Sequence, residues 1–240
     1  MKFSYDFRVD NHDTDINGIA CTSAIMRYMQ ETANLQHVYH GPTMEELRAE
    51  GKAFILSRAA LDIKKPLYSQ DKITVTSWLC EAKGFGFFRN TEIRRGGCEI
   101  AAMNAFWGAM DINTRRPIRT EEIKLSFGTT DEPLTVSAPM RFRPSRNTEY
   151  KELGEYRVSY GDCDQNIHLN NTNYPRIFCG FLPSMNGKMV REFSINYLHE
   201  ARLGVLFKVF GAEYEGATII KTELEDGTQG SEARIVLTDI

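Results

Sequence analysis

Two α+β domains in tandem, each a helix set against an antiparallel sheet, are expected from three features of this chain. The first is an internal repeat. Sliding the sequence over itself by 149 residues superposes "RVDNHDTDINGIACTSAIMRYM" on "RVSYGDCDQNIHLNNTNYPRIF", so that Arg8 meets Arg157, Asp13 meets Asp162, Asp15 meets Asp164, Asn17 meets Asn166 and Arg27 meets Arg176. A period of that length is far beyond a solenoid repeat and matches one small domain. The second is the period-two alternation of "KITVTSW" and "EARIVLT", which belongs to strands with one buried face. The third is the apolar spacing after each repeated stretch, Ile25, Met29 and Ala33 in the first copy and Ile177, Phe178, Phe181 and Leu182 in the second, which belongs to helices.

Taken in order, a short strand leads into the Asp/Asn stretch of the first copy, a helix follows, and strands are expected at roughly 53–63, 70–81, 86–96 and 98–112. The segment "PIRTEEIKLSFGTTDEPLTVSAPMRFRPSRNTEY" carries three further prolines after Pro117 and turn residues throughout, with a short helix expected after Thr120 as its N-cap. A structureless stretch of this length is unusual inside one compact domain. The expected division is therefore an N-terminal domain at 1–120, a crossing at 121–152 and a C-terminal domain at 153–240. In the second copy the helix starts late: Pro175 suits its first turn, with Asn171 to Asn173 as capping side chains. Strands follow at roughly 189–199, 203–213, 217–224 and 231–238.

Composition narrows the function. A net charge of −3 argues against a nucleic-acid-binding protein, which would show a basic excess. No apolar run approaches the length of a bilayer span, and "MKFSYDFRVD" has neither a signal h-region nor transit-peptide character, so no membrane association is expected. The cysteines Cys21, Cys80, Cys98, Cys163 and Cys179 are odd in number and widely spaced, which suggests neither a disulfide framework nor a thiolate zinc site. A reducing, cytoplasmic location is expected.

The densest polar stretch is "DCDQNIHLNN" at 162–171, and three readings compete for it. The first-copy counterpart "DTDING" opens like a calcium-binding loop. That loop needs a bidentate Glu at its twelfth position, yet Ala24 and Asn173 stand there. A second reading makes both stretches plain strand-to-helix connections, since Asp and Asn favour turns and caps. This suits the first copy, where Ile19 occupies the position of His168. The third is a catalytic constellation in the second copy: Asp164, Asn166 and His168 alternate, which in an extended segment would turn all three to one side.

"DCDQNIHLNNTNY" is similar to the D-x-N-x-H-x-N-N-x-x-Y signature of the fatty acyl-[acyl-carrier-protein] thioesterases, placing Asp164, Asn166 and His168 on that family's catalytic Asp, Asn and His. "SINYLHEARLG" resembles the family's strand that carries a Tyr and then the catalytic Glu, which falls on Glu200. "DINTRRPIR" at 111–119, after "AFWGAMD", resembles the end of the family's first domain. Plant members have Cys after the catalytic Glu, whereas Ala201 stands here. The lack of a transit peptide also departs from the plastid enzymes and points to a bacterial member. The resemblance implies two tandem hotdog domains, each a long helix wrapped by an antiparallel sheet, the first binding the acyl chain and the second catalytic.

It further implies hydrolysis of fatty acyl-[acyl-carrier-protein] to free fatty acid, with no cofactor and no metal. A thiol of pKa about 8.5 is a good leaving group, so the remaining tasks are to activate water and stabilise an oxyanion. Glu200 or Asp164 would be the base, with His168 and Asn166 orienting water or polarising the carbonyl and the other carboxylate fixing the imidazole. Direct attack by Asp164 to give an anhydride is the rival scheme. The implied partner is an acidic acyl carrier protein bearing a phosphopantetheine-linked chain, met by Arg141, Arg143 and Arg146 or by Arg115, Arg116 and Arg119; a homodimer is also admitted. An acyl-CoA thioesterase or dehydratase of the same fold and a non-catalytic acyl-binding protein are the alternatives. Met26, Met29, Trp78, Phe85, Phe87, Phe88, Met103, Phe106 and Trp107 are candidates to line the acyl slot, although such a stripe also suits plain core.

Overall fold

The fold is described from a computed structural model that covers residues 1–240, the side chains of Glu81 and Lys83 excepted. The first half comprises β1 (Phe3–Arg8), α1 (Thr22–His40), α2 (Met44–Ala49), β2 (Lys52–Ile63), β3 (Lys72–Lys83), β4 (Gly86–Arg95), β5 (Cys98–Asp111) and the two-residue β6 (Arg116–Pro117). The second comprises β7 (Lys151–Arg157), α3 (Tyr174–Cys179), β8 (Lys188–Tyr197), β9 (Leu206–Tyr214), β10 (Ala217–Leu224) and β11 (Gln229–Asp239). One antiparallel sheet takes them in the order β1-β3-β4-β5-β2-β8-β11-β10-β9-β7, with β6 on β5. Read from each outer edge inward, the two halves have the same order, so the repeat seen in the sequence becomes a pseudo-twofold across the pairing of β2 with β8. That pairing matches Arg58 to Asn196, Ala60 to Ser194 and Asp62 to Glu192.

The core follows the sheet across this junction. Ile25, Met26 and Met29 of α1 share one apolar cluster with Leu61 and Ile63 of β2, Phe193 and Ile195 of β8 and Phe178 of α3. The expected stripe Ile25, Met29 and Ala33 is buried, and so is every residue from Thr22 to Met26, because the start of α1 is covered by the second half as well as by its own strands. A smaller cluster of Leu47, Leu79, Phe87, Ala109, Ile123 and Phe127 seats α2 on the far end of the first half.

The second helix differs from expectation. α3 has six residues, not the long helix implied: Gly180 closes it and Pro183, which has no N–H to give, prevents its continuation. Asn173 is the residue before α3, as expected, but its side chain makes no cap hydrogen bond; Asn170 instead caps the 3-10 turn Asn171–Asn173 that leads into the helix, its Oδ1 accepting the Thr172 N–H at 2.9 Å. Nor does Thr120 cap a helix. It begins a single 3-10 turn, Thr120–Glu122, and its hydroxyl donates to the Gly84 carbonyl at 3.3 Å. Beyond it, 123–150 carries no strand; its middle is bound to the first half, while Tyr150 at its end reaches the second, its hydroxyl donating to Glu232 Oε1 at 3.5 Å. The Glu132 carbonyl accepts from Trp78 Nε1 (3.0 Å) and Asn90 Nδ2 (3.2 Å), and the buried Asp62 carboxylate accepts Ser137 N–H, Ser137 O–H and Ala138 N–H.

Candidate active site

Both Asp/Asn stretches fold into the same tight turn. In the second copy Asp164 N–H donates to the His168 carbonyl (2.9 Å), Ile167 N–H to the Asp164 carbonyl (3.0 Å) and Asn166 N–H to Asp164 Oδ1 (2.8 Å). In the first copy Asp15 N–H meets the Ile19 carbonyl (2.8 Å), Gly18 N–H the Asp15 carbonyl (3.0 Å) and Asn17 N–H Asp15 Oδ1 (2.8 Å). The expectation of an extended segment with alternating side chains is therefore replaced by a closed turn that gathers them. The turn requires a left-handed residue: Gly18 supplies φ 73° without strain, whereas Ile167 holds φ 63° against the clash of its branched Cβ.

The aspartate two residues before each turn is structural. Asp162 accepts from the Tyr156 hydroxyl (2.9 Å), the Ser159 hydroxyl (2.6 Å) and Ser159 N–H (2.9 Å), and it pairs with Arg176 of α3 at 2.6 Å. Burial alone would raise its pKa, but the Ser159 and Tyr156 hydrogen bonds and the Arg176 charge outweigh burial and hold it below the usual carboxylate range. Asp13 does the same for α1, pairing with Arg27 at 2.6 Å and bonding the Tyr28 hydroxyl. The repeated Asp and Arg thus bind each turn to the helix that follows.

On this frame the four expected site residues come together in two contacts. His168 Nε2 lies 3.4 Å from Glu200 Oε2. Glu200 is not on a strand: β8 ends at Tyr197, and the loop carrying Glu200 is held to the turn by Leu169 N–H on the Ala201 carbonyl at 2.8 Å and by an isolated bridge between His168 and Arg202. Asn166 Nδ2 donates to Asp164 Oδ2 at 3.3 Å, and Asp164 Oδ1 also accepts His168 N–H at 3.5 Å. Asp164 therefore serves the turn and the amide, while Glu200 faces the ring. His199 points away, its Nδ1 against the Gln229 carbonyl at 2.8 Å.

A residue not anticipated from sequence completes the site. Arg48 of α2 crosses from the first half and donates from Nη2 to Asn166 Oδ1 at 2.8 Å. Both ends of the Asn166 amide are thereby engaged, and one Nδ2 hydrogen remains to donate elsewhere. Behind the site, Tyr174 stacks edge-on against Tyr197 at 5.2 Å. Burial, and after it the nearby Glu200 carboxylate, hold the Tyr174 phenol in its protonated form. Burial, and then Asp162 and Asp164, likewise raise the Cys163 thiol, so the one cysteine inside the turn is a poor nucleophile. Among the described residues no cluster of three or more His, Cys, Asp or Glu is placed to hold a metal ion.

The nine apolar candidates are distributed. Met26, Met29 and Met103 are main core, Phe87 belongs to the smaller cluster, Trp78 is 1% exposed and Phe85 is half exposed. No helix among the described residues is long and apolar enough to cross a membrane.

The backbone is similar to that of an acyl-ACP thioesterase from Bacteroides thetaiotaomicron, with a TM-score of 0.89 and 20% identity over 99% of this chain and 98% of that one. It is also similar to a 12:0-ACP thioesterase from Umbellularia californica, with a TM-score of 0.78 and 16% identity over 100% of this chain and 98% of that one. These likenesses establish the fold, two tandem hotdog domains. A sequence comparison with curated proteins gives no match. The model of the acyl-ACP thioesterase N-terminal domain matches residues 1–125. A match over more than half of its length places this chain in the acyl-ACP thioesterase family, as an enzyme that hydrolyses thioesters.

Proposed function

We propose that the chain releases free fatty acid from acyl carrier protein, with Glu200, His168, Asn166 and Asp164 as the working residues. The observation that carries this reading is the 3.4 Å contact between His168 Nε2 and Glu200 Oε2, beside an Asn166 amide fixed from both ends. Glu200 accepts a proton from a water molecule oriented by His168, and the water oxygen adds to the thioester carbonyl carbon. The developing oxyanion takes the free Nδ2 hydrogen of Asn166. Collapse breaks the C–S bond, and the thiolate takes up the proton. Asp164 is a positioning residue here. Its carboxylate already accepts two backbone N–H groups and the Asn166 amide, which favours water attack over the anhydride scheme.

In this reading 1–120 holds the acyl chain, 121–152 is the crossing and 153–240 carries the chemistry, with Arg48 reaching over from the first domain. Of the two arginine groups, Arg115, Arg116 and Arg119 are the better supported as the carrier-protein contact. They are exposed, and their segment is tied to the end of α2 by Ile112 N–H on the Gly51 carbonyl at 2.9 Å, so they share an end of the molecule with Arg48. An acidic carrier protein would be drawn to such a cluster despite the net charge of −3.

The test is thiol release from acyl-carrier-protein and acyl-CoA panels of graded chain length, with wild type, His168→Ala and Glu200→Gln. Loss of two or more orders of magnitude in kcat/KM in both variants is expected. Release from CoA alone changes the partner, and undiminished release by His168→Ala refutes the site.

A further inference from the structure

The pseudo-twofold provides the active site with a twin, and the twin is hollow. In the first half Ala20 N–H bonds the Leu67 carbonyl (2.7 Å) as Leu169 N–H bonds Ala201 (2.8 Å), and Ile19 bridges Tyr68 as His168 bridges Arg202. The residue before Leu67 therefore corresponds to the residue before Ala201. Ile19 takes the place of His168 and Pro66 takes the place of Glu200. Both replacements are apolar, and both line a cavity of about 380 Å³.

The rest of the lining is of the same character. Ile25 and Leu67 come from the first half, Met185, Met189 and Val190 from the second. Two charged side chains reach it. Asp15 has Oδ1 occupied by the Asn17 N–H at 2.8 Å, while Arg176 has one nitrogen on Asp162 at 2.6 Å and is otherwise half exposed. An apolar chamber with few polar groups at its edge, of the size of small-ligand pockets, suits an aliphatic chain ending in an anion beside Arg176. The base and imidazole that would hydrolyse a thioester are missing from it.

We propose that this cavity is a second, non-hydrolytic site that binds the aliphatic chain of a free fatty acid, the product class of the active site; the identity of the ligand rests on the proposed function above. Cys21 and Cys179 both line the chamber, which provides a readout independent of turnover. Full-length protein is alkylated with N-ethylmaleimide with and without saturated fatty acids of graded length, and each cysteine is scored by peptide mass spectrometry. Bound fatty acid should slow modification of Cys21 at least tenfold and leave the exposed Cys98 unchanged. Met189→Phe, which fills the chamber from the second half, should abolish the protection while thioester hydrolysis stays at the wild-type rate; Val190→Phe serves if Met189→Phe does not fold. Absence of Cys21 protection at every chain length, with hydrolysis intact, overturns the proposal. Protection without release from any acyl carrier protein refutes the proposed function and leaves the fatty-acid site standing. Protection that survives both filling variants places the fatty acid elsewhere and overturns it as well.

Discussion

His37 should make the first half sensitive to acid. The ring sits at the end of α1, 5% exposed, 4.9 Å from Phe127 and 5.7 Å from Phe54, with Nδ1 against the Pro42 carbonyl at 2.8 Å. Burial, and after it the Arg89 guanidinium, push its pKa from 6.5 down to about 4. Between those values the unfolded chain binds a proton that the folded chain refuses, so stability is full above pH 6.5 and falls as pH drops towards 4. The gap of about two and a half pKa units is worth about 3 kcal/mol at 1.36 kcal/mol per unit, a large part of the ~5–15 kcal/mol typical of a folded protein. The perturbation is His37→Asn, which keeps a donor for Pro42 and removes the titration. Urea unfolding of both proteins across pH 7 to 4 gives the comparison. The variant loses ring packing by a constant amount, so the wild-type advantage should shrink by about 3 kcal/mol as the pH falls. Parallel stability curves over that range would refute the reasoning. Since α1 leads through Pro42 into α2, the same acid step should release Arg48 from Asn166.

Arg48→Ala should lower kcat/KM by about tenfold, the worth of roughly 1.4 kcal/mol for a charge-assisted hydrogen bond, with an unchanged circular dichroism spectrum. Arg48→Lys should recover part of it in the same steady-state assay. Ile167→Gly should raise stability by about 1 kcal/mol by relieving the left-handed backbone; thermal denaturation measures this, and an unchanged or lower Tm contradicts the strain. Ser194→Ala should be neutral or stabilising by up to about 1 kcal/mol, because Ser194 Oγ is buried at the β2–β8 pairing without a hydrogen-bond partner among the described residues. Chemical denaturation would detect a loss that refutes this.

The strands were legible because one-faced burial writes itself as alternation. The segment 217–224 coincides with β10, and the 53–63 and 86–96 segments fall within one residue of β2 and β4. The shift of 149 residues located both turns and both Asp–Arg pairs, since these contacts are local. Arg48 was not legible: its partner lies 118 residues away, and an exposed arginine on a short helix carries no signal. The shape of the turn was missed for another reason. Its left-handed residue is Gly18 in one copy, an open cue, but Ile167 in the other, where the branched side chain argues for a strand. The correspondence of Pro66 with Glu200 was hidden because it runs at 134 residues rather than 149, a difference that arises in the segments of unequal length between turn and loop. The helix of the second copy is shorter than its apolar spacing suggests, because Gly180 ends it between Phe178 and Phe181.

The continuous β2–β8 pairing also bears on how the two halves change. When identical subunits pair through such strands, every substitution appears twice, so an imidazole lost from one pocket is lost from both. Here one chain supplies both sides of the pairing, and each mutation falls on a single pocket. Ile19 and Pro66 stand in one pocket while His168 and Glu200 stand in the other. Fusion lets one pocket drift while its sister keeps its imidazole and carboxylate.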